Sequence, residues 1–194
     1  MKIFRHHIFF CFSFFSLVKI ILKCFFIPFI IFMQNHDQIG NRALGERLGH
    51  IVKNNEALRA AAAVMLLAPT PPMLFMGEEW NAPQPFPYFC DFEPALATKV
   101  REGRRREFKH FERFRDPANS QAIPDPTSAA TMQSARLDWS RATAAGHEDW
   151  LDLYRRLLMI RQREIMPLIP DIRFGACSKL EGGAAFAVDW ALSE

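Results

Sequence analysis

Residues 29–42 read FIIFMQNHDQIGNR, and this stretch indicates the fold more directly than any other part of the chain. Its first five residues are β-branched, aromatic or apolar, which is typical of a short buried strand. The polar cluster Gln34–Gln38 follows at once. The stretch therefore predicts a strand that delivers polar side chains at its carboxyl end, with a loop that begins at Ile39.

A helix and a second strand follow along the chain. Residues 56–67 (EALRAAAAVMLL) favour a buried helix that is capped by Asn54 or Asn55. Three prolines end this helix, and the apolar run Met73–Met76 predicts another buried strand, after which Glu78–Glu79 appear. Strand, helix and strand at this spacing form a βαβ unit, whose two strands are parallel. We therefore expect the polar residues after both strands to lie at one edge of the sheet.

Length and charge exclude several classes of protein. The 194 residues suffice for one core, but a complete (β/α)8 barrel needs about 250 residues. The 24 Lys and Arg residues against 21 Asp and Glu residues give a net charge of +3, which provides no argument for a nucleic-acid partner. The cysteines have no CxxC spacing, so we expect reduced thiols in a cytoplasmic protein and no metal site or cofactor. These cysteines are Cys11, Cys24, Cys90 and Cys177.

The composition changes abruptly near the amino terminus. Residues 1–33 contain no Ala, Gly, Asp or Glu and hold more than half of the phenylalanines. The apolar stretch 8–32 has the length of a membrane span, but Lys19 and Lys23 inside it each cost roughly 2.5–3.5 kcal/mol near a helix centre. Two interpretations stay open for residues 1–28: translated AT-rich non-coding sequence, which we favour, and an authentic membrane anchor. The stretch is not followed by a small-residue cleavage site, so we do not expect a removable signal peptide.

Helical patterns recur further along the chain. Residues 94–114 predict a basic surface helix, because Arg104–Arg106 alternate with glutamates in a way that favours a solvated face over a phosphate site. Residues 115–131 lack apolar periodicity and contain three prolines, so we expect an extended loop there. Apolar residues at helical spacing then predict an amphipathic helix over residues 147–164.

The pattern changes again after Pro167. Residues 172–177 and 184–190 predict two strands around a pair of glycines. We therefore divide the chain after its first segment into an α/β part, residues 29–166, and the start of a carboxyl-terminal β domain, residues 167–194.

Asn35, His36 and Asp37 are the candidate functional residues, since they follow the first predicted strand directly. A polar turn that closes a strand is the commoner explanation of such a cluster. The argument for chemistry is that parallel barrels place their active sites at the carboxyl ends of their strands. Glycoside cleavage passes through an oxocarbenium-like state, which a fixed carboxylate stabilises. Asp37 is suited to that role.

Several motifs together resemble one family. Residues 34–43 (QNHDQIGNRA) are similar to the seventh-strand motif of the malto-oligosyltrehalose trehalohydrolases, which are retaining glycoside hydrolases of the α-amylase superfamily. Residues 67–80 (LAPTPPMLFMGEEW) resemble the passage from helix to eighth strand, and residues 89–92 (FCDF) and 100–108 (VREGRRREF) extend the likeness. The resemblance covers the chain from about Phe29 onward. It implies the last two units of a (β/α)8 TIM barrel, followed by the start of a β-sandwich domain.

The resemblance also implies roles for individual residues. Asp37 would be the catalytic carboxylate that stabilises the transition state, and His36 would hydrogen-bond the same sugar. Asn35, Gln38 and Arg42 would shape the substrate site, although a purely structural role suits each of them equally well. The implied substrate is malto-oligosyltrehalose, an α-glucan whose α-1,4 bond next to the trehalose unit is hydrolysed to release trehalose. No metal, cofactor or nucleic acid is implied.

The chain departs from the family in one mechanistic respect. A retaining mechanism needs a nucleophile and a general acid about 5–5.5 Å apart, and the family supplies both from its fourth and fifth strands. This sequence has the phenylalanine-rich segment in their place, so we expect the chain alone to be inactive. Two alternatives remain: a part of a glycogen-branching enzyme or another α-amylase relative, and a membrane-anchored, non-catalytic glucan-binding protein.

Overall fold

The computed structural model describes residues 3–9, 30–179 and 185–193. The α-helices are α1 (His36–Gly40), α2 (Leu48–Ile51), α3 (Asn55–Leu67), α4 (Pro94–Phe108), α5 (Pro117–Gln121), α6 (Ala129–Ser134) and α7 (Glu148–Ile160). The strands are β1 (Ile3–Phe9), β2 (Ile172–Lys179) and β3 (Ala185–Leu192). Short 3-10 helices span Glu78–Trp80, Glu112–Phe114, Trp139–Thr143 and Met166–Asp171, and a π-helix spans Arg161–Ile165.

The chain divides into two compact units. One contains residues 1–33, 54–73 and 149–194, and the other contains residues 34–53 and 74–148. The first is called the sheet unit below and the second the loop unit.

In the sheet unit, the predicted βαβ arrangement is reduced to a single parallel bridge between Ile31 and Pro72, with α3 between them. Ile31 N donates to Pro71 O at 3.0 Å, and Met73 N donates to Ile31 O at 2.8 Å. The parallel pairing therefore forms, but the continuous strands predicted at 29–33 and 73–76 were wrong for the residues that the structure describes. Pro71 and Pro72 have no N–H to donate, which stops the ladder from extending.

Helix α3 follows the sequence prediction closely. The side chain of Asn54 accepts a hydrogen bond from Ala57 N at 3.1 Å, as an N-cap does. Its buried residues include Leu58, Ala62 and Leu66, and the helix ends at Leu67, two residues before Pro69. The expected buried helix is confirmed.

The antiparallel sheet of the same unit has the strand order β1-β3-β2. Strand β3 pairs with β1 from Ile3 opposite Ala191 to Phe9 opposite Ala185, and with β2 on its other edge. The two strands predicted after Pro167 are thus confirmed, with slightly longer bounds. A β-sandwich and the proposed domain boundaries remain predictions.

The loop unit has a hydrophobic cluster made of Ala43, Phe108, Phe114 and Ile123, with Leu44 packed against it. The helix predicted over residues 94–114 ends at Phe108 and resumes as a 3-10 turn, so Phe108 and Phe114 both reach this cluster.

The extended loop expected at residues 115–131 was wrong, because helix α5 lies within this range and helix α6 begins in it. Asp116 caps α5 and Ser128 caps α6 through side-chain acceptors. Helices of five or six residues are too short to show an apolar period, which explains why the sequence pattern gave no sign of them.

The apolar amino-terminal stretch predicted as an anchor or an artefact lies mostly outside the described residues. Within the part of the chain that the structure describes, no helix is both long and apolar enough to cross a bilayer. The amphipathic helix predicted over residues 147–164 is observed as α7 and the π-helix after it.

Candidate functional site

The predicted site residues lie on a closed loop, residues 34–48, which we call the site loop. Gln34 is buried at its start, and its Oε1 atom accepts a hydrogen bond from Leu48 N at 3.0 Å at its end. Gly45 lies against the segment that contains Phe86, and its carbonyl accepts a hydrogen bond from Phe86 N at 2.8 Å. Gly45 has φ +69°, and a Cβ there would lie 2.2 Å from Pro87 N, so only glycine fits this approach. The two ends of the site loop are therefore bonded to each other, and Gly45 is bonded to a distant segment.

Helix α1 carries the polar cluster at the start of the site loop. Asn35 caps it, because its Oδ1 atom accepts from Gln38 N at 2.9 Å while Asn35 N donates to Gln38 Oε1 at 3.2 Å. This reciprocal pair is a capping box. The side chains of Asn35 and Gln38, predicted as neighbours of a sugar, are thus used to hold α1 in this structure.

His36 and Asp37 face solvent on the first turn of α1. Their side chains are 70% and 73% exposed, and His36 Nε2 lies 3.3 Å from Asp37 Oδ1. A protonated imidazole would make this contact an ion pair, but an exposed pair contributes little to stability. The two residues are therefore available to a ligand at small cost to the fold.

Arg42, the fifth predicted site residue, turns back into the loop. Its Nη1 atom donates a hydrogen bond to the carbonyl of Glu46. Of the five predicted residues, the structure thus brings His36 and Asp37 together at the surface. It gives the side chains of Asn35, Gln38 and Arg42 partners within the loop.

Arg104 on α4 holds the far side of the site loop. Its Nη2 group donates to the carbonyls of Gly40 at 3.1 Å and Arg42 at 3.2 Å. Its guanidinium carbon lies 4.9 Å from the ring centre of Tyr88 and 5.2 Å from that of Phe108. Burial lowers the pKa of Arg104. The sequence assigned Arg104 to a solvated face, because periodicity carries no information about contacts with a distant loop.

Arg47 fixes the end of the site loop from within. It is 1% exposed, and it donates through Nε to Gln84 O at 2.6 Å and through Nη1 to Met76 O at 2.7 Å. Burial lowers the pKa of Arg47, while the charges of Glu78 and Glu79 act in the opposite direction. The negative charges of these glutamates therefore favour the charged guanidinium at this buried position.

Trp80 is a packing residue. It is 1% exposed, which excludes a flat stacking contact with a sugar in this structure. Its ring meets Trp139 edge to face, with centroids 4.5 Å apart, and its carbonyl lies 2.9 Å from His147 Nδ1.

Comparison with known proteins gives consistent relatives. No protein-family profile matches the chain. A malto-oligosyltrehalose trehalohydrolase of Brevibacterium helvolum is 40% identical over 147 residues, which are 75% of this chain and 24% of that protein. Enzymes of the same name from Rhizobium sp. (strain M-11) and Deinococcus radiodurans are 42% and 40% identical over 69% and 70% of this chain, and 22% of each relative. The chain therefore spans less than a quarter of their length.

A solved structure agrees with these sequences. A Salmonella typhimurium protein described as a "Putative alpha Amylase" superposes with a TM-score of 0.71 and 34% identity, covering 86% of this chain and 29% of that one.

These matches relate the chain to the α-amylase class of glycoside hydrolases. Within that class, the proteins it is similar to at about 40% identity are the malto-oligosyltrehalose trehalohydrolases, so the resemblance carried by residues 34–43 and 67–80 is confirmed.

Proposed function

We propose that the site loop is the sugar-facing loop of a retaining α-glucan hydrolase, and that Asp37 is its transition-state-stabilising carboxylate. The parent activity is hydrolysis of the α-1,4 bond next to the trehalose unit of malto-oligosyltrehalose, which releases trehalose for trehalose biosynthesis. The observation that carries this proposal is a division of roles in the loop: the side chains of Asn35, Gln38 and Arg42 bond to its backbone, while those of His36 and Asp37 are exposed.

The chemistry fits an anionic side chain at this position. Positive charge develops on the sugar ring as the glycosidic bond breaks, and a carboxylate held against the ring stabilises that charge. His36, adjacent on the same helix turn, provides a donor for a hydroxyl of the same sugar. Asn35, Gln38 and Arg42 shape the loop that presents this pair. The site loop and α3 belong, in this proposal, to the last two units of a TIM barrel.

The chain by itself does not complete the reaction in this proposal. The resemblance assigns the nucleophile and the general acid to two earlier barrel strands, and the resembling region from Phe29 onward includes neither. Asp37 can therefore contact a glucan here, but no covalent glycosyl intermediate forms.

The first prediction concerns binding by the full chain. Wild-type chain should bind maltoheptaose saturably in a calorimetric titration, and Asp37→Ala should weaken that binding by about tenfold, since a charge-assisted contact with sugar hydroxyls is lost. Glu112→Gln, which removes an exposed carboxylate elsewhere in the loop unit, should leave the affinity unchanged. Equal affinities for Asp37→Ala and the wild type would contradict the proposed role.

A further inference from the structure

We propose that Arg104 is a positioning residue for Asp37, a role that rests on the function proposed for the site loop. Helix α1 carries His36 and Asp37 at its start and ends at Gly40, whose carbonyl Arg104 holds. Arg104 acts on the sugar site through the backbone, without touching the sugar.

The contact satisfies the carbonyl of Gly40, which the short helix leaves without a helical partner, and adds a donor to the carbonyl of Arg42, which already accepts from Gly45 N at 3.3 Å. The last carbonyls of a helix have no intrahelical donors, and a cation near them is favourable because of the helix dipole. The Arg104 Nη2 group donates to the carbonyls of Gly40 and Arg42, which are separated by one residue. Asn41 N, between them, donates to Asp37 O at 3.1 Å. The guanidinium therefore stabilises the turn that closes on the backbone of Asp37 itself.

The other face of Arg104 is fixed by aromatic rings. Tyr88 and Phe108 lie about 5 Å from its guanidinium carbon, a distance typical of cation–π contacts. Phe108 belongs to the same hydrophobic cluster as Ala43 of the site loop. Arg104 thus joins the core to the carbonyls of the loop. The planar guanidinium can stack and donate at the same time, which a lysine ammonium cannot do.

Two explanations of Arg104 give different expectations. If its stem and ring contacts matter, a methionine of similar length preserves its role. If the two hydrogen bonds matter, methionine loses it and lysine recovers part of it. The side chain of Arg105, its neighbour on α4, makes no hydrogen bond or ion pair among the described residues, so Arg105 is the matched control.

The test uses the full chain and two readouts. Amide hydrogen exchange across residues 37–42 is measured without ligand, and maltoheptaose affinity is measured by calorimetry. Arg104→Met should speed exchange at Asn41 and Arg42 by about tenfold or more and weaken binding by about tenfold, because the turn opens more often. Arg104→Lys should recover part of the protection, and Arg105→Met should change neither readout more than about twofold.

A double-mutant cycle with Asp37→Ala separates positioning from general stability. Effects on maltoheptaose affinity should be strongly non-additive, since Arg104 acts through Asp37. Additive effects, or unchanged exchange in Arg104→Met, would overturn the inference. If the wild type fails to bind maltoheptaose, the proposed function falls while the exchange experiment still decides whether Arg104 holds the loop. Should Arg104→Met unfold, the exchange and binding of Arg104→Lys against Arg105→Met decide instead.

Discussion

Single residues of the site loop divide into those that hold it and those that it presents. Arg47 is 1% exposed and donates to two backbone carbonyls, whereas the side chain of Asp37 is 73% exposed and contacts its neighbour His36. A buried guanidinium that donates to backbone carbonyls is costly to remove, because its acceptors are left without donors in a region that water does not reach. Removing an exposed carboxylate costs little stability. Stability and ligand contact thus depend on different residues of one loop.

Arg47→Met should accordingly destabilise the chain. The substitution removes hydrogen bonds from a charged donor to Gln84 O and Met76 O, and we expect the free energy of unfolding to fall by on the order of 3 kcal/mol in urea titrations. Arg136→Met, at an exposed position, should change it by less than about 0.5 kcal/mol. Equal stability of the two variants would show that the carbonyl contacts of Arg47 are not needed for the loop.

At the scale of elements, α3 shows how a helix end is completed from a distance. Arg161, on the π-helix after α7, is buried and donates to carbonyls at and beyond the end of α3: Leu66 at 3.0 Å, Ala68, Pro69 at 3.4 Å and Thr70 at 3.0 Å. Burial lowers the pKa of Arg161. The Leu66 carbonyl lies in the last turn of α3, where carbonyls have no intrahelical donors, and the other three acceptors follow the helix. One side chain therefore bonds to both the helix end and the segment after it.

Arg161→Met should therefore lower the free energy of unfolding by on the order of 3 kcal/mol, because several buried carbonyls lose their donor together. The control is Arg163→Met, two residues away, whose side chain is 77% exposed. Thermal or urea unfolding of both variants measures the difference. A loss no larger for Arg161→Met than for the control would show that the carbonyl contacts are dispensable.

The predictability of these elements follows the range of the interactions that form them. The N-cap of α3, its end before Pro69 and the strands β2 and β3 depend on neighbours in sequence. The pattern predicted a cap at Asn54 or Asn55, the end of the helix and both strands. Helices α5 and α6 have only a cap each and no apolar period. Arg104 acts over 62 and 64 residues and Arg161 over 91 to 95, so composition and spacing could not reveal either one.

The candidate site shows the same limit. The sequence identified Asp37 and His36 from their place after an apolar run, and the structure leaves both exposed. Whether Asn35, Gln38 and Arg42 contact a sugar depends on what else their side chains bind. Their partners inside the site loop become visible only when the loop is folded.

At the scale of the whole molecule, the chain matches only part of the length of its relatives. It spans 24% of the Brevibacterium helvolum relative and 22% of the Deinococcus radiodurans relative. The proposed role of Asp37 is therefore best examined where the remaining catalytic carboxylates are also present. The Deinococcus radiodurans relative carries the name malto-oligosyltrehalose trehalohydrolase and is therefore a suitable host for such a test.

The most direct measurement is trehalose release from malto-oligosyltrehalose by a chimera, in which the matching segment of that enzyme is replaced by the segment from this chain. The chimera should release trehalose, and the same chimera with Asp37→Asn should be slower by about a hundredfold or more, because a neutral amide cannot stabilise the charge that develops on the sugar. Glu112→Gln in the chimera should match the unaltered chimera. Equal rates of trehalose release with and without the Asp37 carboxylate would contradict the account.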